Sequence, residues 1–428
     1  MRNSALEEHH DYQWVELGQV VHLRGDAGFD ITDTEYALLE QVLQEEQPDI
    51  VGVSARSLYN YLMPALISVF RKAVPAALCI AGGYGPTLSA QYYLETGFDL
   101  VIRGEGEEAL LALAETIDKK EDWKQIQNIS YFEDGKLLEN PMQAQCKDLD
   151  EYAAPYYGDE HCSLIDRNTY TKNYDAQKET RNYFTLLGRG CIGKCSYCCA
   201  GQWYDQYAKD NHKVYRRRNR SLDNIFAELY KIDRRFYRYV FFSDEMFVAP
   251  YEVVKEFFIR YKEEIALPFF MYFSYEYFLK HPDLFELAYQ AGWFTTGIGI
   301  QSGSWRMTHD MYGRNNKNED YIKYAKMIFD NNIIAELQVI GGNCYEEEED
   351  FNATLALLKE LPFSVISPQK STLLYVRLKA LPKTKLCEIA PKIVTEPMPA
   401  KLWLYRAALA HLVRIATAEE FDELRNIY

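Results

Sequence analysis

Four cysteines stand within nine positions of the segment GRGCIGKCSYCCAG, residues 188–201, at Cys191, Cys195, Cys198 and Cys199. The spacing Cys191-x3-Cys195-x2-Cys198 puts three soft thiolates on one short loop, enough to wrap a single metal centre, and Gly188, Gly190 and Gly193 permit the tight backbone this needs. Three chemistries compete for such a loop. A structural zinc site needs a fourth ligand, and Cys199 is poorly placed because adjacent side chains on a tight loop diverge. A thioredoxin-like redox pair uses Cys195 and Cys198 and leaves Cys191 without a part. Three cysteines around an iron–sulfur cluster leave one iron free, and a free iron is where chemistry can happen.

The elements around the loop must hold it at the end of a strand. From Tyr183 onward, apolar runs (YFTLLG, YVFFSD, FFMYFSYE, TTGIGIQS, AELQVIGG, STLLYVRL) alternate with helical stretches such as YEVVKEFFIRYKEEI and FNATLALLKEL. Six βα units are too few for a closed eight-fold barrel and predict a partial (β/α)6 barrel, with its active site at the strands' carboxyl ends. A first alternation precedes it: WVELGQVVHL, DTEYALLEQVLQEE opening after Thr32, DIVGVS, LMPALISVFRKAV, ALCIAGG, LSAQYYLETG, DLVIRGEGE, ALLALAETIDKK, and a hairpin at Asp134-Gly135. Strand and helix in turn predict an α/β domain, a Rossmann-like doubly wound parallel sheet, with ligands at the strand ends where Ser54 and Gly82-Gly83 fall. The expected division is 1–145 for this domain, 146–180 for an aperiodic connector, 181–390 for the barrel and 391–428 for a helical tail.

Composition bounds the partners. With 428 residues, 48% hydrophobic and 26% charged, the chain reads as a two-domain globular protein. A net charge of -16 argues against nucleic acid. The basic run Arg216-Arg217-Arg218-Asn219-Arg220 is the local exception, either a solvated approach to a helix or a carboxylate contact near the active site. The polar start MRNSALEEHHDYQW has no secretory pattern, and no run approaches about 18 apolar residues, so no membrane span is expected. Nine cysteines, an odd number, predict a reduced, cytoplasmic setting rather than a disulfide framework.

On these residues the barrel resembles the radical S-adenosylmethionine (radical SAM) superfamily. The resemblance implies a [4Fe-4S] cluster on Cys191, Cys195 and Cys198, its free iron chelated by the amino and carboxylate groups of SAM. Reductive cleavage of SAM then yields a 5′-deoxyadenosyl radical that abstracts hydrogen from substrate, with electrons from a donor such as flavodoxin or ferredoxin. It implies that Tyr197 lies beside the adenine and that Ser243, Asp244 and Glu245, ending the second strand, hold the SAM ammonium. Ser274 and Glu276, then Gln301 and Ser302, would contact ribose and carboxylate, and Gly341 and Gly342 would lie near the adenine. Relatives often carry glutamate where this chain has Gln301, and PKT at Pro382 to Thr384 departs from the more usual Pro-Gly-Thr.

The stretch from Pro48 to about Glu108 resembles the cobalamin-binding domain that precedes many radical SAM enzymes. Its markers are PDIVGVSARS, IAGGYGP and DLVIRGEGEEALL, which imply Ser54, Gly82, Gly83 and Gly104 as cobalamin-binding positions; a purely structural relic is the competing reading. The first βα unit of relatives has no counterpart here, and the Asp-x-His-x-x-Gly motif is absent, His9 and His10 lying before the sheet. Together the resemblances imply a cobalamin-dependent methylase of an unreactive carbon. A cobalamin-independent radical enzyme (rearrangement, oxidation, epimerisation or ring formation) and a cluster protein that carries electrons are the alternatives. No second cluster is expected, and the substrate is not written in the sequence: a peptide or protein side chain, a lipid, a tetrapyrrole intermediate or an antibiotic precursor all fit.

Overall fold

The helix Asp33–Glu46 begins where its sequence asks it to. Thr32 accepts the Glu35 amide while the Glu35 carboxylate takes the Thr32 N–H, a reciprocal cap that satisfies donors every helix start leaves open. The computed structural model describes residues 31–153, 162–174, 178, 181–210, 212–362, 372–379, 381 and 383–425. The expected strand WVELGQVVHL, His9, His10 and the first βα unit fall outside these residues, as does Pro382.

The first sheet has five described strands in the order β1 (Ile50–Ser54), β2 (Leu78–Gly82), β3 (Leu100–Ile102), β4 (Ile129–Glu133) and β5 (Lys136–Glu139). The first three run parallel, and β4 and β5 close the edge as an antiparallel hairpin. Asp134 (φ 49°) and Gly135 (φ 73°) make the left-handed two-residue turn a twisted hairpin favours. Alternation along the strands sends Cys79, Ala81 and Val101 into one core with the helix Met63–Ala73, and Ile80, Leu100 and Ile102 into a second core with the helix Glu107–Asp118. Helices therefore cover both faces, as a parallel sheet requires.

The connector is not wholly irregular. A short hairpin, β6 (Ser163–Asp166) and β7 (Thr169–Lys172), forms within it. Its strands are largely polar and half-exposed, so no hydrophobic period marked them.

The second sheet is the expected partial barrel. β8 (Asn182–Thr185) leads through the short antiparallel pair β9 (Gly188–Arg189) and β10 (Arg218–Asn219) to β11 (Tyr239–Phe247), β12 (Phe269–Phe273), β13 (Trp293–Gln301), β14 (Ile334–Gly341) and β15 (Thr372–Arg377). The order β15-β14-β13-β12-β11-β8 is parallel throughout. Val240, Phe242, Leu337 and Val339 pack outward against Phe257, Leu358 and the tail helix Ala400–Leu412. Each fully buried side chain of this size contributes about 1.5–3 kcal/mol. The run FFMYFSYE is not one strand: β12 stops at Phe273, and Ser274 starts the helix Tyr275–Lys280. No described helix is long and apolar enough to cross a membrane.

Candidate functional site

The cysteine loop leaves β9 and runs into the helix Cys199–Lys209. At Gly190 (φ 98°) a Cβ would stand 2.2 Å from the Arg216 carbonyl and from the Tyr204 hydroxyl, so only glycine lets the loop turn here. Tyr204 accepts the Cys191 N–H at 2.9 Å and donates to the Arg216 carbonyl at 2.8 Å. Ser196 donates its N–H to the Tyr312 carbonyl at 3.0 Å and accepts the Leu386 N–H at 2.8 Å. The loop is therefore pinned from the barrel side before any ligand enters.

Gly193 sits between two thiols. A Cβ there would lie 3.2 Å from Cys191 Sγ and 3.8 Å from Cys195 Sγ, and the Gly193 N–H donates to Cys191 Sγ at 3.3 Å. Both sulfurs thus converge on space that only the absent side chain leaves open. Cys198 stands at the N-terminal cap of the helix, its backbone extended. Cys198 and Cys199 are adjacent, and their mutual influence draws Cys199 below the ordinary thiol range while it and burial push Cys198 above it. Burial pushes the Cys191 thiol up. Among the described residues no three His, Cys, Asp or Glu side chains have the spacing of a single-ion site. The donor set, three free thiols around a glycine at a helix start, fits an iron–sulfur cluster.

Ser243, Asp244 and Glu245 lie within β11 where its pairing with β12 is irregular between Phe242 and Phe247, and the two acids point to opposite sides of the strand. Asp244 points inward: it is fully buried, pairs with Arg217 at 2.6 Å and accepts the Leu187 N–H at 2.8 Å. Glu245 points outward, its charge felt by Cys191, Cys198 and Cys199, and accepts the Tyr84 hydroxyl at 2.5 Å. Ser243 is half-buried beside them. Ser274 hydrogen-bonds Glu276 at 2.5 Å, and Glu276 accepts Asn316 at 2.9 Å. Gln301 holds a left-handed backbone (φ 70°) where the β13–β14 register shifts, a strained conformation for a non-glycine residue. Ser302 is buried and bonds Thr354 at 3.0 Å.

Tyr197 packs edge-on against Tyr312 and accepts Arg314 at 3.2 Å. Arg314, which sequence reasoning passed over, also reaches Cys195 Sγ at 3.9 Å, Tyr321 at 3.3 Å and Asn316 at 2.8 Å. It sets a permanent positive charge beside the loop. Gly341 and Gly342 have a packing cause: Cβ atoms there would strike Tyr375 at 2.1 Å and Arg377 at 2.9 Å.

The basic run is a clasp of carboxylate contacts, the second of its two sequence readings. Arg217 holds Asp244 and the Gly190 carbonyl; Arg220 holds Glu228 at 2.6 Å; Arg218 grips Glu105 with both guanidinium nitrogens. Glu105 belongs to the Gly104–Glu107 turn of the first domain, and Arg189 adds pairs to Glu105 at 3.4 Å and to Glu107 at 2.5 Å. Gly104 (φ 75°) allows this approach, since a Cβ would stand 2.5 Å from the Tyr207 hydroxyl, which accepts the Glu105 N–H at 2.8 Å. Trp203, Tyr204 and Tyr207 lie on neighbouring turns of the cysteine helix, and that spacing was the available signal.

The carboxyl edge of the first sheet faces the same helix. Tyr84, which follows Gly82-Gly83, packs against Trp203 with centroids 4.6 Å apart and planes tilted by 48°. Gly83 (φ 101°) is required by its own chain, a Cβ falling 2.9 Å from the Ala55 carbonyl. Gly82 differs: a Cβ would meet only the Ile102 carbonyl, at 3.8 Å, and Ser54 at the next strand end is exposed. That open strand edge fits the approach of a large flat cofactor.

Residues 3–114 match the family described as the B12 binding domain and residues 185–358 the radical SAM superfamily. The chain is 27% identical over 183 residues to the anaerobic magnesium-protoporphyrin IX monomethyl ester cyclase of Cereibacter sphaeroides, covering 41% of this chain and 28% of that protein. It is 22% identical to an uncharacterized methyltransferase of Pyrococcus horikoshii over 80% of this chain and 72% of that one. Against the cyclase, then, the match spans little more than a quarter of the relative's length. Among solved structures, the radical SAM methyltransferase TsrM of Kitasatospora setae, with cobalamin and a [4Fe-4S] cluster bound, superposes with a TM-score of 0.63 at 17% identity, covering 85% of this chain and 70% of that one. The cobalamin-dependent radical enzyme OxsB gives 0.64 at 16% identity, covering 85% and 55%. These likenesses show the fold.

Proposed function

Taking the chain as a B12 binding domain joined to a domain of the radical SAM superfamily, we propose that it is a cobalamin-dependent radical SAM methylase of an unactivated carbon. When bound, a reduced [4Fe-4S] cluster supplies the electron that cleaves SAM to a 5′-deoxyadenosyl radical, and cobalamin supplies a carrier for a methyl group. The observation that carries the reading is the shared boundary of the two sites: Tyr84, beside Gly82-Gly83, bonds Glu245 and packs against Trp203 of the cysteine helix.

The chain's own residues divide the work. Cys191, Cys195 and Cys198 hold the cluster, with Arg314 offsetting thiolate charge. Glu245 faces the loop and takes the SAM ammonium, while Asp244 serves behind it by fixing Arg217 and the base of the loop. Ser243, Ser274, Glu276, Gln301 and Ser302 line or brace the strand ends around the nucleoside, and Tyr197 shapes its adenine side, while Gly341 and Gly342 serve packing against Tyr375 and Arg377. Ser54, Gly82, Gly83 and Gly104 form or support the cobalamin edge. Placing the reactants together and keeping water away is the protein's physical contribution. A small reductant protein such as flavodoxin or ferredoxin is the electron source in this reading, in the cytoplasm.

Glu245→Gln is expected to weaken SAM binding by roughly tenfold, the loss of one charge-assisted contact, with the iron content unchanged. Equilibrium binding of labelled SAM checks it. Gly82→Leu is expected to reduce retained cobalamin while Gly82→Ala leaves folding stability within about 0.5 kcal/mol of the parent. Cobalamin counted per chain and urea unfolding read the two effects.

A cobalamin-independent radical enzyme is the second reading, and one observation favours it: Gly83 and Gly104 are explained by Ala55, Met142 and Tyr207 with no ligand. Product analysis separates the two. With reductant, cobalamin and SAM, a methylase releases S-adenosylhomocysteine as well as 5′-deoxyadenosine; 5′-deoxyadenosine alone rejects methylation.

A further inference from the structure

The turn after β2 fixes one tyrosine at the edge of the first domain. The Ala55 N–H donates to the Gly82 carbonyl at 2.8 Å, and the Ala55 carbonyl accepts the Gly85 N–H at 3.0 Å. Thr87 donates its hydroxyl to the Gly83 carbonyl at 2.8 Å and accepts the Gly104 N–H at 2.9 Å. At Gly85 a Cβ would stand 2.3 Å from the Tyr93 hydroxyl, which is itself tied to Asn60 at 2.6 Å. Tyr84 thus has a pinned chain neighbour on each side, and its backbone is set by the first domain.

Its side chain is spent on the second domain. The ring packs against Trp203 of the cysteine helix, and the hydroxyl donates to Glu245 Oε1 at 2.5 Å. Burial, and then the charge of Glu245, push the Tyr84 hydroxyl far above the ordinary phenol range, so it stays protonated and donates. Glu245 is exposed, and its charge is felt by Cys191 and Cys198 of the loop. Among the described residues no second group bonds Glu245, which leaves Oε2 open. An exposed glutamate samples several rotamers, and a rigid donor on one oxygen selects among them. Ordering that precedes the ligand lowers the cost of binding it.

We propose that Tyr84 is a positioning residue for the SAM site: the first domain reaches across the boundary, holds Glu245 by Oε1 and presents Oε2 to the SAM ammonium. The proposal rests on the reading in which Glu245 takes that ammonium, and it deepens the reading by giving the first domain a part in SAM binding whether or not cobalamin is present. Tyr84 touches neither the cluster thiols nor SAM in this account and acts only through Glu245.

The test uses the full chain, anaerobically reconstituted with iron and sulfide, with cobalamin and reductant left out. Equilibrium binding of labelled SAM is measured for the parent, Tyr84→Phe, Glu245→Gln and the double variant, with iron and the urea midpoint read on the same samples. Tyr84→Phe keeps the ring against Trp203 and removes only the hydroxyl. It is expected to weaken SAM binding roughly fivefold with iron unchanged, the scale of a lost hydrogen bond to a charged group. The double variant should bind SAM no more weakly than Glu245→Gln alone, because the hydroxyl acts through that carboxylate. A packing role would instead cost the same factor in both backgrounds. Unchanged or tighter SAM binding in Tyr84→Phe, or an equal further loss in the Glu245→Gln background, overturns the proposal. A parent protein that binds no SAM sinks the radical SAM reading itself. SAM binding undiminished in Glu245→Gln sinks the role of Glu245, whereas a weakened Glu245→Gln beside a normal Tyr84→Phe sinks only the role of Tyr84.

Discussion

Single replacement of Cys191, Cys195 or Cys198 by alanine is expected to abolish cluster retention, taking iron from about four per chain to near none and 5′-deoxyadenosine formation to background. Each of the three thiols has a distinct anchor: Cys191 through Tyr204, Cys195 beside Arg314, and Cys198 at the helix start. No other described cysteine can take over. Cys199 comes nearest, next to Cys198 in the chain, yet it lies within the first turn of the helix, which fixes its direction. Cys199→Ser should therefore keep the iron. Iron and sulfide counts on the four variants read this directly, and an iron-free Cys199→Ser protein would make Cys199 a ligand.

Breaking the interdomain clasp should be the largest effect on stability. Arg218 is buried and Glu105 half-buried at the boundary between the turn of the first domain and β10. Removing one partner leaves the other with a poorer partner or none, Glu105 keeping only Arg189 at 3.4 Å, a loss of up to about 3–5 kcal/mol. Arg218→Met and Glu105→Gln are each expected near that range in urea unfolding, and the double variant should cost less than their sum because neither charge is then left unpaired. Arg189 would still face Glu107, so the interface does not open completely. Additive losses would show that the pair is not coupled. The same variants should retain less cobalamin per iron, since the pair sets the distance between the two edges; a merely destabilised fold would lose both in step.

Much of this architecture is legible from local pattern. Thr32 with Glu35, Asp134 with Gly135, and the six apolar runs of the barrel each carry their structure within a few residues, which is why helix start, hairpin and parallel strands fall where expected. What the sequence hides is direction and distance. Ser243-Asp244-Glu245 reads as one acidic strand end, but Asp244 goes to Arg217 and Glu245 to Tyr84, on opposite sides of the strand. Nothing local to FFSDEMF says which carboxylate is spent on structure. Gly341 and Gly342 look like an opening for a ligand, whereas Tyr375, Arg377 and Trp403, brought in from later elements, fill that space. The RRRNR run is illegible for the same reason: its partners Glu105, Asp244 and Glu228 come from three separate elements. Arg314 carried no motif at all, and only the folded chain brings it to Cys195.

The central claim is that one chain holds a radical-generating cluster and cobalamin across a single boundary. The most direct measurement is the number of cobalamins and irons bound per chain after anaerobic reconstitution, counted on one sample. The account predicts about one cobalamin beside about four irons. A full complement of iron with no cobalamin would contradict it, leaving a radical enzyme whose first domain has another task.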